Sequence, residues 1–496
     1  MRDQARRSSS QGAPAIYGSR NTDQVAPLRS RWSALGLLAL ACFGCSDAQP
    51  ETLAELVQKT TPSKLKILVV GIDGGSFAVI DPMIAAGGLP AMTRLMENGT
   101  RGPLRSVSPS RSPSIWTTIA TGRAAKDHGV QSFTRPSDES RLITSNERSV
   151  NALWNWASAF DKRVGFNGWW VTWPAEPVQG WMVSDRITRS RWSEWLDGDV
   201  AQNLTHPSNL ASELLPLLVD PAKPPMDEIA AMADFSEAEL ASLAAAEEPI
   251  FGDRLSVFKF AYCAQRSYEN IALHMLEKEQ PDLMGVFLIA NDSICHTHWQ
   301  FHEPEAFEGI DPAEAARLGK LIPSIQEHND RYLEKLLSKV DEDTIVFVVS
   351  DHGFQASGVL TESIKAKDYK SARAEAEKIG QLALMQPGMH HLDGIFMARG
   401  PYIKQGFQLK ASVYDLAPTI LALMGLPVAD NLEGRVLTEM IEPAFFEKHP
   451  LTTIDSYDRL LGRTLIPLPE DGDDDAGMDQ IKALGYVDPS DEEEDE

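Results

Sequence analysis

The chain has 496 residues, 43% of them hydrophobic, and a formal charge of −25. That length and apolar content can fill a large core, while the absence of a basic stripe excludes a role as a nucleic-acid scaffold. Much of the negative charge is local, because residues 470–496 hold 13 acids against Lys482 alone, which is the pattern of a solvated, disordered tail.

At the amino end the charge reverses. Arginines at 2, 6, 7, 20, 29 and 31 precede an apolar run from Ala34 to Gly44, and together these read as an export signal too short to span a bilayer. The small residues before Cys45 resemble a bacterial lipoprotein signal. That resemblance implies an exported chain, periplasmic or at the cell surface, held to a membrane by a lipid on Cys45, with Cys42 as the rival position. Residues 46–65 read as a linker. Only Cys263 and Cys295 follow, too few for a disulfide framework, and Cys295 among hard oxygen and imidazole donors reads as a packed thiol.

Residues 66–437 read as one catalytic domain. Lys66–Ile72 is a continuous apolar, β-branched run, the mark of a buried strand, and helical patterns follow over 76–86 and 90–98, the second opened by Pro90. Further strands are predicted at 163–170, 283–289 and 344–350, with helices over 254–279 and 321–339 between them. Strand and helix in succession imply an α/β fold, with a mostly parallel central sheet and helices on both faces. Residues 187–248 break this rhythm and read as an insertion, either a cap over the substrate entrance or an ornament on the scaffold's edge. A C-terminal extension occupies 438–469.

Chemistry gathers at the strand ends. Asp73 follows the first strand, Asp292 and His296 the one ending at 289, and Asp351 and His352 the one ending at 350, while His390 precedes a strand-like run over 395–398. Carboxylates and imidazoles at the carboxyl ends of parallel strands can hold metal ions over a sheet. Asp292 and His296 stand four apart, so a helix after the strand puts them on one face. A hydroxyl nucleophile is sought in the serine-rich run from Ser108 to Gly122. There Ser112 before Pro113 predicts the N-cap of a helix ending at Thr121, where an incoming phosphate is also favoured. Ser108, Ser110 and Ser114 compete for the role.

The ordered series Gly71-Ile-Asp73-Gly74, Ser112 to Gly122, His128-Gly129, Asp292 with His296 and Trp299, Ser350-Asp351-His352-Gly353 and Gly388 with His390 resembles the alkaline phosphatase superfamily. Within it the type I phosphodiesterase/nucleotide pyrophosphatase branch is the nearest in pattern. The resemblance implies that Ser112, ten residues before Gly122, is the nucleophile and forms a phosphoryl-serine intermediate. It implies two divalent metal ions, zinc in that family, one held by Asp292, His296 and His390, the other by Asp73, Asp351, His352 and the Ser112 oxygen. His391 matches no ligand position, and His298 and His302 read as surface or pocket-rim residues.

The implied substrate is a small phosphorylated molecule, a phosphodiester or pyrophosphate, with phosphate monoesters and phosphonates as alternatives. One departure stands out. Ile115 occupies the place of the asparagine that contacts a phosphoryl oxygen in the nucleotide pyrophosphatases, and Arg111 and Arg123 are the nearby cations, read as solvated or salt-bridged. A sulfatase would need Cys or Ser where Val107 stands. A catalytically inactive, surface-anchored binding protein, the rival of another class, predicts missing ligands, whereas all six are present.

Overall fold

The computed structural model describes residues 52–135, 137–188, 203–247, 249, 253–358 and 386–468. Cys42 and Cys45, the tryptophans at 192 and 195, and the acidic run from 470 lie outside them.

The strands in chain order are β1 (Lys66–Ile72), β2 (Thr100–Arg105), β3 (Thr134–Arg135), β4 (Asp138–Leu142), β5 (Val164–Asn167), β6 (Gly180–Val183) and β7 (Thr205–His206). They continue with β8 (Leu283–Leu288), β9 (Thr344–Val349), β10 (Gly353–Ala356), β11 (Gly388–His391), β12 (Asp393–Arg399), β13 (Phe407–Gln408) and β14 (Ala411–Ser412). The central sheet runs β13-β2-β12-β9-β1-β8-β5-β6-β7, with β14 also on β2. Its middle, β9-β1-β8-β5-β6, is parallel throughout. Every residue of β1 after Lys66, and all of β8 and β9, is buried, as expected for strands covered on both faces. Helices including Phe77–Ala85, Pro90–Glu97, Ser112–Thr121, Arg254–Lys278, Leu321–Leu337 and Leu416–Leu423 flank the sheet.

Three expectations need adjusting, and the insertion shows how it attaches. The strand foreseen to reach 170 stops at Asn167, because Gly168 (φ +72°) and Val171 (φ +60°) turn the chain out of the sheet. The run around Ile395 runs antiparallel to β9 and β2, so the sheet is mixed at that side. The linker is ordered before its end, since Leu53–Lys59 is a helix capped by the Thr52 hydroxyl. Finally, the segment after 187 adds β7 antiparallel to β6 and docks on neighbouring helices, with Tyr262 donating to Glu228 at 2.6 Å and Arg317 to Glu239 at 2.8 Å. Its described part thus extends the sheet edge and packs on those helices.

The approach of helix Ser112–Thr121 to β1 depends on Gly71, where a Cβ would stand 2.7 Å from the Trp116 ring. A second contact fixes the C-terminal extension. Arg148 donates to Glu176 at 2.7 Å with side chains only 1% and 4% exposed, and Arg463 lies 3.7 Å from the same carboxylate. Burial alone would raise Glu176; the two guanidiniums overrule it and hold the carboxyl below its usual range. Removing one member of such a buried pair costs about 3–5 kcal/mol, so Glu176→Gln should lower stability by that amount in urea denaturation at pH 7. A depressed carboxyl stabilises fully above its unfolded pKa of about 4.3 and ceases to do so as pH falls through the lower folded value. The gap between wild type and variant should therefore narrow in acid, and a gap independent of pH would refute the charge argument.

Candidate metal centre

Strand β1 lies between β8 and β9, with Ile72 opposite Leu288 and Gly71 opposite Val349. Adjacent strands are about 4.8 Å apart, so the residues leaving these strands at their carboxyl ends emerge side by side. From β1 comes Asp73, in a turn made possible by Gly74 at φ +67°. From β8 comes helix Ala290–His302, which carries Asp292 and His296 one turn apart. From β9 come Asp351 and His352. His390 arrives on β11, paired with Phe354 of β10. Asp73, Asp292, Asp351 and His352 have no exposed surface, and His296 is 5% exposed.

Ser112 joins them at the first residue of helix Ser112–Thr121, not at the N-cap, a position Arg111 holds without capping the helix by its side chain. The one-residue shift frees the serine hydroxyl from capping. It donates to Asp73 Oδ1 at 3.3 Å and stands 3.4 Å from His352 Nε2.

The imidazoles share one orientation. His296 Nδ1 faces Gly388 O at 2.9 Å, His390 Nδ1 faces Ser110 O at 2.8 Å, and His352 Nδ1 faces Gly353 O at 3.1 Å. A carbonyl oxygen only accepts, so each Nδ1 carries a proton, and each ring in its neutral form presents the Nε2 lone pair, the arrangement of metal-ligating histidines. These lone pairs converge on further acceptors. His296 Nε2 and His390 Nε2 are 2.9 Å apart, and Asp292 Oδ1 has the Nε2 atoms of His296, His390 and His352 at 3.4, 3.5 and 3.7 Å. Both Asp292 oxygens and Asp351 Oδ2 are buried without a hydrogen-bond partner. Acceptors crowded around acceptors are relieved by protons or by a cation, and imidazole with carboxylate is a donor set that suits a metal ion.

Two compact groups stand out, Asp292 with His352 and His390, and Asp73 with Asp351 and His352, each with ligand atoms within 4.8 Å of one another. His352 belongs to both, so it sits between the two halves rather than wholly in the second.

The proton balance reflects the same crowding. Burial, followed by the Asp351 and Asp292 charges, pushes Asp73 well above its usual range, and burial lifts Asp351 to about 7. Burial opposes ionisation of Asp292 too, but His296 and His390 beside it bring it to about 2. Burial drops His296 to about 4 and His352 well below its usual value, whereas for His390 the Asp292 carboxylate outweighs burial and raises it.

The remaining candidates separate. Ser110 Oγ lies 3.1 Å from His390 Nδ1, Ser114 is buried, and Ser108 is exposed. His298 is not at the surface: it is 1% exposed, with Nε2 unpartnered, and burial drops it to about 3. His302 lines a cavity of about 800 Å³, and His391 Nδ1 accepts from the Asp393 N–H at 3.1 Å. Arg123 is paired with Asp458 at 3.3 Å. Cys295 is a buried free thiol. Ile115 is wholly buried and offers no donor. Sequence reasoning missed the indoles of Trp116 and Trp170, which point at Asp73 Oδ1 and Oδ2 at 3.5 and 3.4 Å. It also missed Asn291, whose only local signal is its place before Asp292.

Residues 67–394 match a family model described as type I phosphodiesterase/nucleotide pyrophosphatase. Among solved structures, murine ectonucleotide pyrophosphatase/phosphodiesterase 5, as an inactive variant in complex with AMP, is 13% identical, with a TM-score of 0.43 over 76% of this chain and 100% of its own. Human ectonucleotide pyrophosphatase/phosphodiesterase 5 is 12% identical, with a TM-score of 0.41 over 76% and 99%. No curated protein matches the chain in sequence.

A cation entering this cluster must displace the protons on the raised carboxyls and on His390. Zinc added to metal-free protein should therefore release more protons at pH 6 than at pH 8, and bind more tightly at pH 8. An indicator dye in weak buffer reads the release, and equal release at both pH values would contradict the assignment.

Proposed function

We propose, from the fact that this chain belongs to the type I phosphodiesterase/nucleotide pyrophosphatase family, that it cleaves phosphodiesters or pyrophosphates through Ser112 beside a centre of two divalent cations, zinc by donor type. As a member of that family it is a phosphoric ester hydrolase acting on small phosphorylated substrates. The observation that carries the finer reading is the convergence of three Nε2 lone pairs and three carboxylates next to one serine hydroxyl. Asp73, Asp351 and His352 would hold one cation, and Asp292, His296 and His390 the other, with His352 reaching both. Bound there, the cations supply Lewis-acid stabilisation of charge on oxygen and ease deprotonation of a hydroxyl.

The chain's own part is orientation. Asp73 accepts the Ser112 hydrogen bond and fixes the oxygen at the opening of its helix, where backbone N–H groups favour a phosphate. Ser112 Oγ attacks phosphorus as the bond to the leaving oxygen breaks, giving a phosphoryl-serine and a free alcohol or phosphate. Water then cleaves the Oγ–P bond and restores the hydroxyl. Ile115 leaves one phosphoryl oxygen without the amide contact implied by the nucleotide pyrophosphatase pattern, which keeps monoesters and phosphonates as the alternative substrates. We further propose export and a lipid anchor through Cys45, or through Cys42. Among the described residues no helix is long and apolar enough to cross a membrane.

Turnover of a paired aryl phosphate diester and monoester tests this reading. A chelator and Ser112→Ala should each reduce the rate by about 10³-fold or more, with the diester preferred. Full activity in Ser112→Ala would transfer the nucleophile to another serine, while a purified protein with neither turnover nor stoichiometric zinc would be a binding protein.

A further inference from the structure

Asn291 precedes Asp292 in the first turn of helix Ala290–His302 and has no exposed surface. Its amide nitrogen donates to two consecutive carbonyls of the Asp73 turn, Asp73 O at 2.8 Å and Gly74 O at 2.9 Å. Its carbonyl oxygen accepts from Gln326 of helix Leu321–Leu337 and lies 3.7 Å from Cys295 Sγ. The backbone of the same turn is gripped from the other side. Ala290 N–H donates to Gln265 Oε1 at 3.0 Å, where Ile289 at the N-cap offers no side-chain acceptor. The Gln265 nitrogen is itself placed by Glu269 at 3.0 Å and Asn329 at 2.9 Å.

The sheet cannot do this work alone. The last ladder-like bond between the two segments is Asp73 N–H to Leu288 O at 3.0 Å. Beyond it one chain enters a glycine turn and the other a helix, and Asp73 and Asp292 fall in different ligand groups. The satisfied amide of Asn291 crosses that gap. We infer that Asn291 is a positioning residue that sets the separation of Asp73 and Asp292, and with it the spacing of the two halves of the cation site. The inference rests on the two-cation reading above. A residue serving stability alone would change unfolding without changing cation affinity; a residue that spaces ligands changes affinity in the folded protein.

Zinc titration of the metal-free full chain against a chromogenic chelator, with thermal unfolding recorded in parallel, separates these roles. Wild type should take up two equivalents. Asn291→Ala should weaken at least one binding step about 10–100-fold, the usual effect of losing a partner that orients metal ligands. Gln326→Met, which leaves Asn291 intact but free to turn, should shift affinity in the same direction and provides the answer if Asn291→Ala does not fold. Leu336→Ala, buried about 15 Å further along the same helix as Gln326, is the control for destabilisation and should bind as wild type does. Unchanged affinities in a folded Asn291→Ala, or in Gln326→Met where that variant decides, would overturn the inference, as would an equal loss in Leu336→Ala. A wild type that takes up no zinc would instead overturn the two-cation reading, and this inference with it.

Discussion

The structure is organised around a repulsion. Three carboxylates and three imidazole lone pairs are aimed into one buried volume, with Nε2 atoms as close as 2.9 Å and Asp292 without a donor of its own. Burying such groups costs several kcal/mol for each ion even after relaxation, so nothing local would assemble them. What opposes their separation is the parallel core, β9-β1-β8, whose hydrogen-bonded register brings Asp73, Asp351 and the helix carrying Asp292 to one edge. Backbone carbonyls complete the constraint, because Gly388, Ser110 and Gly353 each hold one Nδ1 and fix the direction of the opposite nitrogen.

Apolar packing makes that repulsion effective. Phe354 meets the His296 ring edge-on at 4.8 Å, stacks on Trp299 at 5.6 Å and reaches His390 at 5.4 Å. On the other side Trp116 packs edge-on against Trp169 at 4.9 Å and Phe287 at 5.1 Å. With water excluded, charges interact at lower dielectric and the carboxyl protons are held to unusual pH. The same rings dictate the turn after β1, since a Cβ on Gly74 would stand 2.3 Å from Phe354. Only glycine combines that closeness with φ +67°.

The parts legible in the sequence are those with a local signature. An unbroken apolar run announces β1, β8 and β9, and a carboxylate or histidine just past its end announces a member of the buried cluster. What escaped depends on distant partners. The histidine tautomers are set by carbonyls 92 and 280 residues away for His296 and His390. The direction of β12 depends on how the chain re-enters the sheet, and its residues read the same either way. His298 reads as a rim residue because it matches no ligand position, but it lies on the face of its helix that packs inward, near Phe258 at 6.4 Å. Ser112 lies one residue beyond the expected N-cap, and that residue matters: an N-cap hydroxyl serves its helix, whereas at the first helical position it serves Asp73.

The charge of the molecule bears on its substrate through this centre more than through its surface. Asp292 is held ionised and His296 and His352 neutral, while burial raises Asp73 and Asp351 and the Asp292 carboxylate raises His390, so without cations the cluster has no excess of positive charge to offer an anion. A phosphate ester would gain no attraction from it. Loading the ligands makes the local sign positive, which makes substrate affinity a consequence of cation affinity rather than an independent property. Residues that never touch phosphate, such as those placing Asp73 and Asp292, can therefore govern how tightly it is held.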